Sequence, residues 1–317
     1  MDKRKIWLIA RKYATLAVLC LILVVMFFLT DRFFTIKNLS NVGRQISLNA
    51  IISVGMTMVI ISGGIDLSVG SVVAMSSCIC ASVLSITGNI ILAIMIGMLI
   101  GVIVGLINGL LISKTGIAPF IITLSTSSIC GGITLVYTRA RPIPLNNTPF
   151  KAIGQGSISF LPLPTIYMLI TFIVFAFIMT KTKFGRYIYA IGGNEKASVV
   201  AGIRVKETKT LVYVIGGFLA AFTGVIYTSR LSSGVPSLGA GFDMQAITAA
   251  VIGGTSMSGG RGSIWGTLLG AVIIGVLNNA LNLLNVNSYY QNIVTGVVVL
   301  FAVLFDHFIQ TRVSSKS

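Results

Sequence analysis

Long stretches without a charged residue dominate this sequence. Six of them are each long enough for one membrane-crossing helix: 13–30, 45–65, 115–138, 152–180, 210–229 and 244–260. Residues 67–113 and 262–305 are also charge-free, and each is long enough for two helices. Because a helix rises about 1.5 Å per residue and the hydrocarbon core is about 30 Å thick, roughly 20 apolar residues make one span. The sequence therefore predicts about ten spans.

The composition agrees with a chain whose solvent is the lipid bilayer. Hydrophobic residues make up 55% of the sequence and charged residues 9%, and the mean hydropathy is +0.96. A soluble domain carries about 25% charged residues, which is what a water-exposed surface needs. We predict an all-α fold: a polytopic transmembrane helical bundle that forms a single domain over residues 1–317.

The basic residues predict the orientation, because positively charged loops stay in the cytoplasm. With ten spans and a cytoplasmic N-terminus, 16 of the 23 Lys and Arg residues lie inside and the C-terminus is also cytoplasmic. This topology accounts for the net charge of +16, so we expect no nucleic-acid partner. Seven basic residues lie on the outer side: Arg32, Lys37, Arg44, Arg139, Arg141, Lys151 and Arg230.

Two glycine-rich motifs, at 61–70 and 251–260, interrupt the apolar pattern. In both, a Gly-Gly pair is followed by Ser four residues later and Gly six residues later. Glycine pairs loosen a helix, so we expect unwound backbone that lines a cavity. The candidate pathway and helix-break residues are Gly63, Gly64, Asp66, Ser68, Gly70, Asn108, Gln245, Gly253, Gly254, Ser258 and Asn278.

The two motifs suggest an internal repeat of approximately 45–137 and 210–306. Residues 105–110 are echoed by 275–280, which is an offset of 170, whereas the glycine motifs are offset by 190. Transporters often contain repeated halves. The two offsets do not share one register, so chance similarity among glycine-rich spans remains an alternative.

Two loops stand out. Prolines between 138 and 164 predict a loop on the outer face. The largest cytoplasmic loop, 181–209, is predicted to contain a short helix from Asn194, its N-cap, to Gly202. Ala197, Ala201 and Gly202 give this helix a small face, which is either a docking surface or only part of a linker. The candidate docking residues are Gly193, Asn194, Glu195, Ala197, Ala201 and Gly202.

Side chains for catalysis or metal binding are scarce. Among seven acidic residues, only Asp66 and Asp243 border or enter spans, and His307 is the single histidine. All four cysteines fall in apolar stretches, where they pack as small apolar residues. Residues 254–261 lack the Lys-Ser/Thr pair of a phosphate-binding loop. We therefore expect no catalytic residue, no metal, no cofactor and no ATP hydrolysis by this chain.

Several motifs occur together in order. They are 34–39, 64–70, 185–190, 192–195, 277–284 and 288–291, and with them the chain resembles the membrane permeases of bacterial ABC importers for monosaccharides, most closely the ribose type. It departs from the family pattern after Gly241, where Phe242, Asp243, Met244 and Gln245 replace an aromatic, Glu, Leu and Asp. One carboxylate is shortened and another becomes an amide, which leaves the sugar open.

The resemblance implies a non-catalytic subunit of the bacterial cytoplasmic (inner) membrane that imports a neutral monosaccharide, ribose or a related sugar. It implies a second permease copy, a separate cytoplasmic ABC ATPase and an extracytoplasmic sugar-binding protein. The helix from Asn194 to Gly202 resembles the coupling helix that contacts the ATPase. An alternative from another class is a self-sufficient facilitator or ion-coupled carrier that uses Asp66 and Asp243, although Asp66 also suits a helix cap.

Overall fold

The computed structural model describes residues 16–17, 19–287, 290, 293–294, 296–298, 300 and 304, and these are mostly helical. The helices are α1 (Leu19–Leu29), α2 (Ile36–Ile61), α3 (Val69–Thr87), α4 (Ile90–Thr115), α5 (Pro119–Thr138), α6 (Thr148–Gln155), α7 (Leu163–Lys181), α8 (Lys183–Gly193), α9 (Glu195–Val200), α10 (Val205–Leu231), α11 (Phe242–Ile252) and α12 (Ile264–Leu283). Seven helices in this part of the chain are long and apolar enough to cross a membrane: α2, α3, α4, α5, α7, α10 and α12.

Helix α2 is the central element of the bundle. From Ser47 to Ile61 its residues are buried, apart from Asn49, which is nearly so, and it packs on α7, α10, α11 and α12. Thr35 caps its N-terminus by accepting from the N–H of Asn38. A helix that is apolar on all sides is expected inside a bundle rather than at its lipid surface.

Helices α4 and α10 form the closest pair. Glycines recur every four residues on the α4 face. A Cβ at Gly101 would overlap the carbonyl oxygen of Gly217 on α10, and one at Gly105 would overlap that of Tyr213. At Gly109, a Cβ would lie 2.7 Å from the Cα of the facing residue. Small residues at this spacing let two helix backbones approach within membrane proteins.

The proline-rich segment 138–164 is more structured than the prolines predict. It contains α6 and a hairpin in which β2 (Ser157–Ile158) pairs with β3 (Leu161–Pro162). Its first strand, β1 (Ile143–Pro144), pairs with β4 (Ser233–Gly234), which follows α10, and both pairings are antiparallel. The span expected over 152–180 begins only at Leu163, because Pro164 suits the first turn of a helix and the hairpin precedes it.

The stretch 244–260 was wrongly predicted as a span. The structure gives α11 only 11 residues, which at about 1.5 Å each cover roughly half of the hydrocarbon core. The helix ends because the Gly-Gly pair at 253–254 terminates it. Both termini, and most of the second span expected within 262–305, lie outside the described residues, so the count of ten and the orientation stay predictions.

Candidate translocation site

The first break, residues 62–68, joins α2 to α3. Helix α2 ends in a Schellman motif, in which the N–H of Gly63 donates to Ile60 O at 2.9 Å and that of Gly64 donates to Val59 O at 3.0 Å. Gly63 has a φ of +87°, a left-handed conformation that favours glycine. The backbone is therefore unwound at this motif, as predicted.

A buried polar network follows in the same break. Asp66, which is 1% exposed, accepts from the N–H of Ser68 at 2.9 Å and from its hydroxyl at 2.6 Å. The Asn108 amide of α4 donates to Ser68 Oγ at 2.9 Å, and the Thr126 hydroxyl of α5 donates to Asn108 Oδ1 at 2.7 Å. Three predicted site residues thus meet in one network. Asp66 holds Ser68, the N-cap residue of α3, and its described hydrogen bonds do not reach the first-turn amides of that helix.

The network lies deep in the bundle. A Cβ on Gly216 of α10 would be 4.0 Å from Asp66 Oδ2. Gly216 is the twelfth of the 27 residues of α10, near the middle of that helix. Beside it, the Tyr213 hydroxyl is buried against Gly64 without a hydrogen-bond partner among the described residues.

The second break, residues 253–263, joins α11 to α12. Its first turn repeats the Schellman motif, with the N–H of Gly254 donating to Val251 O and that of Thr255 to Ala250 O, both at 2.9 Å. Gly254 has a φ of +96°. A Cβ at Gly253 would overlap the carbonyl of Gly266, so this break is held by close backbone packing on α12.

A cavity of about 320 Å³ opens beside the first turn of α3. It is lined by α3, by α5 and by the connection 236–241 that leads into α11. Gly70 permits this arrangement, because a Cβ there would overlap the carbonyl oxygen of Gly239. Its polar lining side chains are Ser71, Ser127, Ser237 and Asp243.

Of the eleven predicted pathway and helix-break residues, Gly70 lines this cavity and the other ten do not. Three of those ten have other surroundings. Gln245 accepts a hydrogen bond from Asn49 Nδ2 across the α2–α11 contact, at 2.5 Å. Asn278 is buried in α12, and Ser258 is exposed at the far side of the second break. They belong to helix contacts or to the break surface, and the cavity lining does not include them.

The loop 181–209 forms the predicted short helix, as α9. Asn194 caps it by accepting from the N–H of Ala197 at 2.9 Å, and Glu195 in its first turn pairs with Lys209 Nζ at 2.6 Å. Gly202 has a φ of +77° just beyond its end. The predicted docking residues Gly193, Asn194, Glu195, Ala197, Ala201 and Gly202 are all exposed.

The helix before it, α8, is anchored to the bundle. Ile188 and Ile191 are buried, and the Tyr189 hydroxyl donates to Gly262 O of the second break at 3.0 Å. Burial raises the pKa of the Tyr189 phenol, so it remains a neutral donor.

Sequence reasoning missed several residues of the site. Thr126 lies in a run of Ser and Thr in α5, and Asn49 is an amide inside a charge-free stretch, so a search for polar residues within spans finds both. Tyr213 and the connection 236–241 give no comparable signal, because their positions depend on contacts between distant segments.

Comparisons with known proteins agree with this architecture. The chain is 48% identical to the ribose import permease protein of Haemophilus influenzae, covering 93% of this chain and 92% of that protein. It is 47% identical to that of Bacillus subtilis (91% and 90%), and 39% identical to the D-allose transport system permease protein of Escherichia coli (94% and 92%). No solved structure matches.

These relatives confirm the resemblance to sugar permeases, and the seven apolar helices agree with a multi-pass membrane protein. A family model described as "Branched-chain amino acid transport system / permease component" matches residues 38–303. This match covers most of the chain, including both breaks, the cavity and the loop 181–209. The chain belongs to this permease family.

Proposed function

We propose that this chain is the permease subunit of an ATP-driven importer and forms the path of a neutral monosaccharide, ribose or a related sugar, across the bacterial cytoplasmic membrane. The observation that carries the proposal is the 48% identity to a ribose import permease over nearly the full length of both chains. The cavity beside α3 supports it, because three of its four polar side chains are serines.

The cavity suits a sugar that passes without tight binding. Serine hydroxyls and the backbone groups of 236–241 donate and accept hydrogen bonds, which sugar hydroxyls require. Asp243 adds one carboxylate acceptor at the start of α11. We expect Asp243→Asn to lower the maximal uptake rate several-fold without changing the thermal unfolding midpoint. Unchanged uptake would remove Asp243 from the path.

A second copy of the chain completes the pathway in this proposal. Only 22% of an apolar 18-residue stretch of α5 is buried inside the protein, whereas the corresponding share for α10 is 61%. Its open face exposes Ser125, Ser128 and Gly132, and polar or small residues of this kind favour helix contacts over lipid. The adjacent Ser127 lines the cavity.

Cross-linking tests this dimer. In a background in which Cys20 is replaced by serine, Ser128→Cys is expected to form a disulfide between copies in membranes. Ile173→Cys, which lies on the exposed face of α7, is the matched control and should not. Cross-linking at Ile173 and not at Ser128 would show that the second copy packs against α7 instead of α5, which contradicts the proposed dimer.

The ATPase partner is proposed to dock on α9. Val199 and Val200 are 59% and 89% exposed on this six-residue helix, and exposed apolar side chains of this kind mark protein interaction sites. Glu195→Lys combined with Ala201→Trp places a like charge beside Lys209 and adds bulk to the docking face. The double variant should insert normally and lose ATP-driven uptake.

Reconstitution tests the whole proposal. The protein is purified with an ABC ATPase and a sugar-binding protein from the same organism, placed in liposomes, and screened with pentoses and hexoses. We expect one sugar-loaded binding protein to stimulate ATP hydrolysis and uptake together. Equal uptake without the ATPase and binding protein would overturn the proposal.

The ion-coupled alternative depends on Asp66. The two hydrogen bonds that the structure shows to the Asp66 carboxylate both come from Ser68, and Asp66 does not line the cavity. Both observations favour a role in holding the start of α3. Uptake that followed a proton or sodium gradient, was independent of ATP and vanished in Asp66→Asn would instead support the carrier.

A further inference from the structure

The backbone at Gly192, near the end of α8, touches both breaks at once. A Cβ at Gly192 would overlap the carbonyl oxygen of Ile61, where α2 ends, and would lie 2.5 Å from the amide nitrogen of Gly260 in the second break. That same amide donates to Ile61 O at 2.8 Å. Gly192 therefore lies directly against the hydrogen bond that joins the two breaks.

The neighbouring glycines tighten the same contact. A Cβ at Gly259 would lie 2.9 Å from Gly192 O and 3.2 Å from the Cα of Gly63. Three chain segments thus meet through backbone atoms, with no side chain between them. Contacts of this kind leave little room for independent movement, because packed interiors are stiff.

Helix α9 follows at once. Asn194 is both the C-cap of α8 and the N-cap of α9, so only two residues separate Gly192 from the first residue of the exposed helix. One turn before Gly192, the Tyr189 hydroxyl gives a second, independent attachment to the second break through Gly262 O. Displacement of α9 is therefore carried directly to both breaks.

We propose that Gly192, supported by Tyr189, is the positioning contact through which movement of α9 reaches the two helix breaks and changes access to the sugar path. The inference rests on the proposed function, since it assumes that α9 receives the movement of an ATPase. It assigns to α8 a role beyond linking α7 to the docking helix.

Ala190 offers a control on the same helix. Its side chain is exposed and belongs neither to a break nor to the predicted docking residues, whereas a Cβ at Gly192 meets backbone on two sides. In the reconstituted complex, sugar uptake and ATP hydrolysis are measured together for Gly192→Ala and Ala190→Ser. We expect Gly192→Ala to bind the ATPase and hydrolyse ATP while the sugar imported per ATP falls at least tenfold. Ala190→Ser should match the unaltered protein.

Tyr189→Phe keeps the test decisive if Gly192→Ala fails to fold. It removes only the hydroxyl that donates to Gly262 O, and should lower sugar imported per ATP about two- to fivefold with ATPase binding retained. If both variants import as much sugar per ATP as Ala190→Ser, the inference is overturned. The same result for Tyr189→Phe alone overturns it where Gly192→Ala does not fold. If the unaltered protein neither binds the ATPase nor imports sugar with it, the proposed function itself has failed.

Discussion

The two breaks begin alike and are then held in different ways. Each ends its helix with the same pair of Schellman hydrogen bonds and a left-handed glycine, Gly63 in one and Gly254 in the other. Beyond that turn, the first break is held by the hydrogen bonds around Asp66, whereas the second is held by the contact of Gly253 with Gly266.

The comparison also shifts the register of the glycine motifs. The sequence aligns Gly63 with Gly253, but the left-handed residue of the second turn is Gly254. The second break is also longer, with 11 residues between helices against seven in the first. A similar sequence therefore specifies how each helix stops and leaves open how the chain continues. The internal repeat stays a prediction.

The largest effect is expected at Asp66. Asp66→Ala leaves the N–H and hydroxyl of Ser68 without their acceptor, and an unsatisfied buried donor costs about 1–3 kcal/mol. The free energy of unfolding, measured by SDS titration in detergent, should fall by about 3 kcal/mol. Asp66→Asn keeps an oxygen acceptor and should lose about 1 kcal/mol. Equal losses would mean that the charge, rather than the acceptor, holds the first break.

The second break should respond to volume instead. Gly253→Ala forces a methyl group against the backbone of Gly266 and should cost about 2 kcal/mol in the same titration, since overpacking costs about 1–3 kcal/mol. Gly132→Ala, which meets open space among the described residues, is the control and should not lower stability, since alanine is favoured over glycine inside a helix by about 1 kcal/mol. If Gly253→Ala and Gly132→Ala have the same free energy of unfolding, the close contact is not what holds this break.

A paired substitution tests the shared turn. Gly63→Ala and Gly254→Ala each place a side chain on a left-handed backbone, which costs roughly 1–2 kcal/mol. We expect both to lower the free energy of unfolding by a similar amount, about 1.5 kcal/mol. A loss at only one of them would show that the two helices stop by different mechanisms.

The smallest effect is expected at the far end of the polar network. Thr126→Val removes the hydroxyl that donates to Asn108 Oδ1 and should cost about 1 kcal/mol. Thr126→Ser retains the hydroxyl and serves as the control. Identical unfolding of Val and Ser variants would confine the network to Asp66, Ser68 and Asn108.

Local sequence signals predicted much of this molecule. Charge-free stretches located the seven apolar helices, and the capping residue Asn194 located α9. The half-length of α11 was missed because hydropathy alone does not show where an apolar stretch leaves the helix. Asp66 and Ser68 were found in one motif, but nothing in the sequence joined them to Asn108, 40 residues from Ser68. Such pairings depend on how helices pack, which a single sequence does not record.

The glycine face between α4 and α10 has a consequence for how this bundle rearranges. With their backbones in contact at Gly101, Gly105 and Gly109, these two helices cannot slide or separate without losing most of their interface. We therefore expect the two helices to behave as one rigid unit. Hydrogen exchange of the amides along their contact should stay slow with and without ATP. Rearrangement of the sugar path then falls to the two breaks and the helices beside them.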